Sequence, residues 1–550
     1  MLPPLRNPYA GPVDYAELAQ QVPALSPFLR PSRDGRQTID FRDDKAIRAL
    51  NAALLQRDFA LSLDLPEDRL CPAVPSRLEY VLFVLQLALL TSDKPANSTP
   101  PSLVGLDIGT GASAIYPLLA VRTLEPSSEA SSSRNTYPSS SSFVTMLATD
   151  IDAHSLEYAR RNVTQTGLSG RISVFEAEPE GALFPQKVLD SFDSIDFMMC
   201  NPPFYSSQDE IDATLAAKEL EPFAKCTGAE NEMVTPGGEV AFVSRMVEES
   251  HKLGKDKIRW FTSLLGKHSS IGPLVELLKA KQILNYHVHA LPPHGHTVRW
   301  VLSWSLQDRR FPAELLEATS SIPSQGSASS STLRFPLGRF ASPAVSSSSY
   351  YTPLQRSHAE EIAVCRAREA LEEVLRELCT ANAGAQEGAN GAGDDGRAAK
   401  RRRVSGGGSH LTPSALEWRW DEPPVAECER TQELFVRAWR NVWSRKARRG
   451  GPASTALDVA EPARPLLELR VRFERAGPHA HLEGEPDPPQ QVKLTARWVR
   501  GRDADCAAFT GLWGFVTRKV GEKLKARGGE ADTAPEQEKG NGNADWLKRL

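Results

Sequence analysis

The segment Leu103-Val104-Gly105-Leu106-Asp107-Ile108-Gly109-Thr110-Gly111-Ala112-Ser113 constrains the fold more than any other stretch of the chain. An apolar strand runs into a glycine turn, and Ala114 to Ala120 continues with the pattern of a helix's first turns. Strand, glycine turn and helix in that order open a doubly wound α/β fold, whose glycines let the backbone approach a nucleotide-like ligand. The turn lacks the third glycine of the dinucleotide fingerprint and carries Asp107 just before it. It therefore suits S-adenosylmethionine, whose charged amino-acid end takes a carboxylate and backbone carbonyls, better than a pyrophosphate. A glycine turn alone is equally compatible with a plain tight turn, so the decision rests on the strands downstream of it.

An acid at the end of the next strand should grip ribose hydroxyls. Phe143 to Asp150 is such a strand, ending on Asp150, and it arrives about twenty residues later than the usual spacing. Residues 125–142 explain the delay: they are Ser-rich and read as a surface insertion. Ile151 to Gln165 then has the apolar spacing of a helix, and Arg171 to Ala177 that of a third strand. A fourth apolar run, Ile195 to Cys200, stops at Asn201-Pro202-Pro203-Phe204. The prolines fix φ and cannot donate to a ladder, which holds the Asn side chain and nearby carbonyls in one geometry. The Asn201 amide oxygen and the Pro202 carbonyl can then accept both hydrogens of a planar NH2. Phe204 can lie against the ring that carries it, a contact of about 1–3 kcal/mol for a nucleobase. Adenine N6 is the simplest such acceptor, and a glutamine side-chain amide fits the same turn. Glycine turn, acid and Asn-Pro-Pro-Phe, each weak alone, occur in the order that a Rossmann-like methyltransferase requires.

Further segments carry a resemblance. They are Ile39-Asp40-Phe41, Ala46 to Leu50, Arg57-Asp58-Phe59, Leu61 to Pro66 and Val74-Pro75-Ser76-Arg77-Leu78-Glu79-Tyr80. Downstream lie Gly237-Gly238-Glu239, Leu265-Gly266-Lys267 and Val298 to Ser305. Together with the glycine turn and the Asn-Pro-Pro-Phe turn, they resemble the methyltransferase-like protein 16 family of RNA adenine-N6 methyltransferases, which includes bacterial 23S rRNA enzymes. The resemblance covers about Asn7 to Gln307. It implies S-adenosylmethionine as cofactor, held by Arg77, Asp107, Gly109, Gly111, Ser113, Asp150 and Asn201, with Arg77 reaching its carboxylate. It implies Asn201, Pro202, Pro203 and Phe204 as the catalytic tetrad, RNA as partner and U6 small nuclear RNA as substrate. The family's basic active-site loop falls on Lys252 to Trp260, and Thr227 and Gly228 fall in the loop shaping the acceptor pocket. Lys252, Lys255, Lys257, Arg259, Lys267 and Arg299 are the RNA-contact candidates on this half. Departures are Tyr205 in place of a Phe, a single Arg6 in the amino-terminal arm, and His296 where a second Arg is expected. Other readings stay open: a protein glutamine-N5 methyltransferase, or an RNA-binding splicing scaffold with a residual methyltransferase fold.

The remaining sequence sets the organisation. At 550 residues, length alone suggests about three to four domains, but composition favours two plus linkers. We expect an amino-terminal extension over 1–100 packing on a Rossmann-like α/β catalytic domain over 101–310. A Ser/Pro-rich linker over 311–357, a helix over 358–380 and a basic, Gly-rich linker over 381–412 come next. A small α+β unit over 413–530 and a tail over 531–550 complete the chain. Within that unit, 428–448 reads as an Arg-rich helix, and Arg437 and Arg440 are its phosphate-contact candidates, salt-sensitive in affinity. Relatives carry a carboxy-terminal RNA-binding module resembling a kinase-associated-1 domain, and the expected element order is compatible with one. A net charge of −4 excludes a uniformly basic nucleic-acid binder, so any RNA contact must be concentrated locally. Seven cysteines without a Cys-x-x-Cys pair suit free thiols in a reducing compartment, and no metal site is expected. There is no membrane-length apolar run and no signal-peptide pattern, so a soluble intracellular protein is expected. Lys400 to Val404 reads as a nuclear import signal, giving a nuclear, or nuclear and cytoplasmic, protein.

Overall fold

A computed structural model describes residues 5, 7–32, 35–92, 102–125, 143–207, 209–211, 230–293, 298–312, 315, 347–352, 367–379, 416–420, 433–439, 443, 465–475, 492–501 and 506–527. The chain divides into two units, residues 1–346 with 498–506, and residues 347–497 with 507–550.

The first unit begins with helix α1 (Tyr15–Gln21) and a short antiparallel pair, β1 (Leu29–Pro31) with β2 (Gln37–Ile39). Helices α2 (Asp44–Phe59) and α3 (Val74–Leu90) come next. The Asp43 side chain caps α2, accepting from the Lys45 N–H. The first N–H of α3 is capped from outside, by Asn51 Oδ1 of α2 at 2.9 Å. Buried apolar residues surround α3, from Val74 and Leu78 to Leu87 and Leu89. A helix apolar on all sides belongs inside a protein, and α3 lies between the rest of the extension and the catalytic sheet.

That sheet has seven strands. In chain order they are β3 (Ser102–Ile108), β4 (Phe143–Asp150), β5 (Ile172–Glu176), β6 (Ile195–Cys200), β7 (Ile258–Leu265), β8 (Tyr286–Ala290) and β9 (Trp300–Trp304). Their spatial order is β5-β4-β3-β6-β7-β9-β8, parallel from β5 to β7, with β9 antiparallel to both neighbours. Successive connections lead outward from β3 on one side and from β6 on the other. The crevice at the carboxyl ends of β3 and β6 is therefore the switch point where such sheets bind ligands. The extension, α4 (Ile115–Leu124) and α5 (Ala153–Gln165) share one core cluster with one face of the sheet. The Gly238–Leu253 and Ile271–Ala280 helices fill the other. Gly105 sits where these layers leave no room: a Cβ there would lie 2.3 Å from Phe197 Cζ and 2.5 Å from Met146 Sδ. Gly105→Ala is expected to destabilise the fold by about 2 kcal/mol, read as a lowered melting temperature.

The second unit is a five-stranded sheet ordered β10-β14-β13-β12-β11, with β10–β14, β11–β12 and β12–β13 antiparallel. Its strands are β10 (Ser347–Thr352), β11 (Leu416–Trp420), β12 (Glu433–Ala438), β13 (Leu467–Arg475) and β14 (Val492–Arg500). A helix over 367–379 and the Cys506–Arg527 helix complete it.

Three expectations change here. The Arg-rich stretch expected as a helix over 428–448 contains strand β12, because Leu434, Val436 and Ala438 alternate into the core between β11 and β13. Ser347–Thr352, assigned to the linker over 311–357, pairs with β14 as an edge strand. The helix expected over 358–380 is described over 367–379. It buries Leu371, Val374 and Leu378, and Glu372 accepts from Trp420 Nε1 at 2.6 Å, so this unit begins before residue 413. Among the described residues, no helix is long and apolar enough to cross a membrane.

Candidate active site

The glycine turn after β3 needs a left-handed backbone, with φ of +71° at Gly109 and +63° at Gly111. The Gly109 and Thr110 N–H groups both donate to the Thr149 carbonyl at 2.9 Å, and the Gly111 N–H donates to Asp150 Oδ2 at 2.8 Å. Asp150 Oδ1 accepts from the Asp152 N–H at 3.0 Å. One carboxylate thus braces the turn and the start of α5 while keeping lone pairs for a ligand. Burial raises the pKa of this group above the ordinary range. Ser113 lies beside the turn, and its hydroxyl accepts from the Ile115 N–H at 3.3 Å where α4 begins.

Asp107 is fully buried, and among the described residues no donor is aligned on either carboxylate oxygen, although the Thr110 hydroxyl lies near enough to act on it. Burial, with Asp150 adding repulsion, outweighs the Thr110 hydroxyl and the Arg77 charge and pushes its pKa up to about 7. A buried carboxylate without an aligned donor is costly, and it fits the ammonium of S-adenosylmethionine. Arg77, one turn into α3, is held by the Tyr116 hydroxyl at 3.0 Å and lies 5.7 Å from that ring's centroid.

The extension forms part of this region. Buried Asn162 accepts from the Asp64 N–H at 2.7 Å, and its Nδ2 donates to the Asp64 and Ala112 carbonyls. The Leu61-to-Pro66 segment is thereby tied to the glycine turn. Arg69 pairs with Asp152 at 2.9 Å, and the Leu70 N–H donates to Glu232 at 3.1 Å.

Asn201 comes directly after β6, and the register pairs Ile108 with Cys200, so the tetrad and the glycine turn leave adjacent strands at the same edge. Asn201 Oδ1 is buried and, among the described residues, has no partner. It is a ready acceptor for an NH2 group.

The turn beyond it is held from three sides. The Tyr205 N–H donates to the Met233 carbonyl and the Thr235 N–H to the Tyr205 carbonyl. A Cβ on Gly266 would lie 2.8 Å from the Phe204 ring, so only glycine leaves that ring its place. The Arg299 guanidinium stands 5.3 Å from the Phe204 centroid, a cation–π contact. Buried Glu239 accepts from the Gly266 and Lys267 N–H groups at 2.8 and 3.0 Å, and from the Ser270 hydroxyl. The Gly-Gly-Glu and Leu-Gly-Lys segments are therefore two halves of one support. Lys267 pairs with Glu210 and lies 5.1 Å from the Tyr205 ring, and its hydrogen bond is the main reason Glu210 is pulled down to about 2.

The structure brings Arg77, Asp107, Gly109, Gly111, Ser113, Asp150, Asn201 to Phe204, Lys267 and Arg299 to one edge of the sheet. Lys252, Lys255, Lys257 and Arg259 lie elsewhere, against expectation. Lys252, Lys255 and Lys257 precede β7 and Arg259 is its second residue; β7 is parallel to β6 with Ile195 beside Ile258. This puts them at the amino edge, roughly 16 Å of strand away from Asn201. Arg259 pairs there with Asp196 at 3.0 Å, and Lys257 donates to the Phe192 carbonyl at 2.7 Å. Lys252 and Lys255 are at the same edge, with Lys252 exposed. Arg437 is in the second unit, paired with Glu468 at 2.9 Å. Arg440, Thr227, Gly228, Arg6, His296, the Lys400-to-Val404 cluster and residues 126–142 lie outside the described residues. The sequence assigns no role to Tyr116, Asn162 or Glu239, although Glu239 lies in one of the segments that carry the resemblance.

Sheet order, the glycine turn with its buried Asp107, and the Asn-Pro-Pro-Phe turn together define a class I S-adenosylmethionine-dependent methyltransferase. The chain belongs to the RNA methyltransferase family, whose model matches residues 3–308. It is similar to the U6 small nuclear RNA (adenine-(43)-N(6))-methyltransferase of Schizosaccharomyces pombe, at 36% identity over 53% of this chain and 68% of that one. It is likewise similar to the RNA N(6)-adenosine-methyltransferase METTL16 of Homo sapiens, at 36% identity over 55% of this chain but only 50% of that one. The match thus spans about half the length of the vertebrate relatives. The solved hMettl16 catalytic domain in complex with MAT2A 3'UTR hairpin 1 aligns at 34% identity with a TM-score of 0.46, covering 55% of this chain and 95% of that one.

Proposed function

We propose that the chain methylates adenine N6 in U6 small nuclear RNA, with S-adenosylmethionine as donor, and that it works in the nucleus. The observation that carries this reading is the buried Asn201 Oδ1, unpartnered among the described residues, at the edge where buried Asp107 also lacks an aligned donor. The names of the relatives supply the RNA and the position of the methyl group.

When bound, S-adenosylmethionine supplies a methyl group on a sulfonium, a good leaving group. In this reading Arg77 receives its carboxylate, Asp107 its ammonium and Asp150 its ribose hydroxyls. Asn201 Oδ1 and the Pro202 carbonyl accept the two N6 hydrogens. They turn the nitrogen lone pair out of conjugation and stabilise the positive charge that develops on it. Pro202 and Pro203 keep those acceptors from relaxing, so positioning does most of the work. Phe204, braced by Gly266 and Arg299, supports the base. Its proton leaves to solvent after transfer, so no general base is assigned.

The carboxy-terminal unit is a second RNA surface in this proposal. Arg437, Arg419 and Arg470 stand 5.0, 5.3 and 6.0 Å from the Phe435 ring centroid, an aromatic with cations around it on one sheet face.

Label from methyl-labelled S-adenosylmethionine is expected in a U6 fragment, and nucleoside digestion should return it as N6-methyladenosine. Label in protein glutamine, or in no acceptor while cofactor still binds, would overturn the reading.

A further inference from the structure

Strand β6 loses its partner on one edge just before the catalytic turn. Its ladder with β7 ends at the pair Met198–Phe261, while β3 accompanies the other edge to Cys200. The open edge is filled by side chains. The Cys200 N–H donates to the Tyr80 hydroxyl at 3.2 Å, Tyr80 and Thr262 share a hydrogen bond of 2.7 Å, and Thr262 Oγ1 donates to the Met198 carbonyl at 2.8 Å. With the Cys200 N–H on Tyr80, the Tyr80 hydroxyl can donate to the Cys200 carbonyl at 3.4 Å or to Thr262 at 2.7 Å; the shorter bond, with Thr262 donating on to Met198, completes a chain from Cys200 to Met198.

We propose that Tyr80 and Thr262 are positioning residues for the methyl transfer: their hydroxyls replace the missing rung of the ladder and fix the strand end from which Asn201 projects. The inference rests on the role proposed above for Asn201. Both residues are fully enclosed, with Tyr80 and Thr262 at 0% exposure, so water cannot substitute for either hydroxyl. Burial also keeps the Tyr80 phenol un-ionised, so it can donate and accept at once.

The relay connects to the cofactor side as well. Tyr80 lies three residues after Arg77, on the same face of α3. Its ring meets Tyr116 edge-on at 5.6 Å, and Tyr116 is the residue that holds Arg77. One helix therefore sets both the arginine proposed for the donor and the strand end proposed for the acceptor. A fixed distance between the two matters, because small misplacements are expensive in a displacement reaction.

The test uses the full chain as wild type, Tyr80→Phe, Thr262→Val, Thr262→Ser and the Tyr80→Phe/Thr262→Val double variant. Three quantities are measured: kcat and KM for RNA, cofactor affinity by calorimetry, and amide hydrogen exchange at Cys200. Tyr80→Phe and Thr262→Val should each lower kcat by about 10-fold or more, with cofactor affinity kept. Cys200 exchange should accelerate by a similar factor relative to β3 amides. Thr262→Ser keeps the hydroxyl and should stay near wild type. The double variant should be no worse than either single one, because each breaks the same chain of bonds. A lowered melting temperature with kcat and Cys200 exchange unchanged would make the pair merely structural and overturn the inference, as would losses that multiply in the double variant. If wild type transfers no methyl group to RNA, the proposed function fails separately, and Cys200 exchange still decides whether the relay holds the strand end.

Discussion

Asn201→Ala is expected to cut methyl transfer to RNA by about 10²–10³-fold, a larger loss than any it causes in cofactor affinity. The side chain ends in one buried acceptor with no donor among the described residues, and alanine removes it without exposing a new polar atom. The loss should fall on kcat, because the bond to N6 strengthens as positive charge grows there and contributes less to the ground state. Melting temperature should barely change: the main-chain anchors of the turn, through Cys200 and Tyr205, do not involve the Asn201 side chain. Single-turnover kinetics with saturating RNA separates these effects. An unchanged rate would leave the Pro202 carbonyl as the sole acceptor and remove the main support for the proposed chemistry.

Much of this site is legible in the sequence, because its signals are local. A run of apolar residues that meets Gly-x-Gly, and another that meets Pro-Pro, state where strands end and what stands there. Their adjacency comes from topology rules once the alternation of strand and helix is recognised. The basic segment shows the opposite case. Its charge is plain in the sequence, but its place depends on strand direction. A loop that enters a parallel strand lies at the amino edge, away from the chemistry, and Lys252 to Arg259 enter β7.

Long-range partners explain the other differences. Glu239 cannot be read as a support until Gly266 and Lys267 arrive beside it from twenty-seven and twenty-eight residues away. Tyr80 and Thr262 are 182 residues apart. Residues 433–438 alternate in the manner of a strand, yet the arginines and tryptophans around them suggest an amphipathic helix. Pairing with β11 and β13 decides the matter, since strand preference depends on packing more than on intrinsic propensity. Ser347–Thr352 has the composition of a linker and becomes a strand only because β14 offers an edge.

Asp107→Asn is expected to weaken cofactor binding on the order of 100-fold, the 2–3 kcal/mol of a hydrogen bond to a buried charge. The amide keeps the shape but cannot neutralise an ammonium. The pH dependence gives an independent signature. Burial raises this carboxyl from 3.8 to about 7, so in the free protein it is largely protonated at pH 6 and largely ionised at pH 8. Only the ionised form pairs with the ammonium. Wild-type affinity should therefore fall as pH drops below about 7, approaching 10-fold per unit, with one proton released on binding there. The Asn variant should be flat over the same range. Stability of the free protein has the opposite sign. A raised carboxyl pKa stabilises the fold in the protonated form below about 4, and that contribution is lost as pH rises through about 7. The free protein should thus melt lower at pH 8 than at pH 6 through this group, and added cofactor should restore more at pH 8. Calorimetric titration in buffers of different ionisation enthalpy measures both affinity and proton release. A wild-type affinity independent of pH would mean that the ammonium is bound elsewhere and that the buried carboxylate serves another charge.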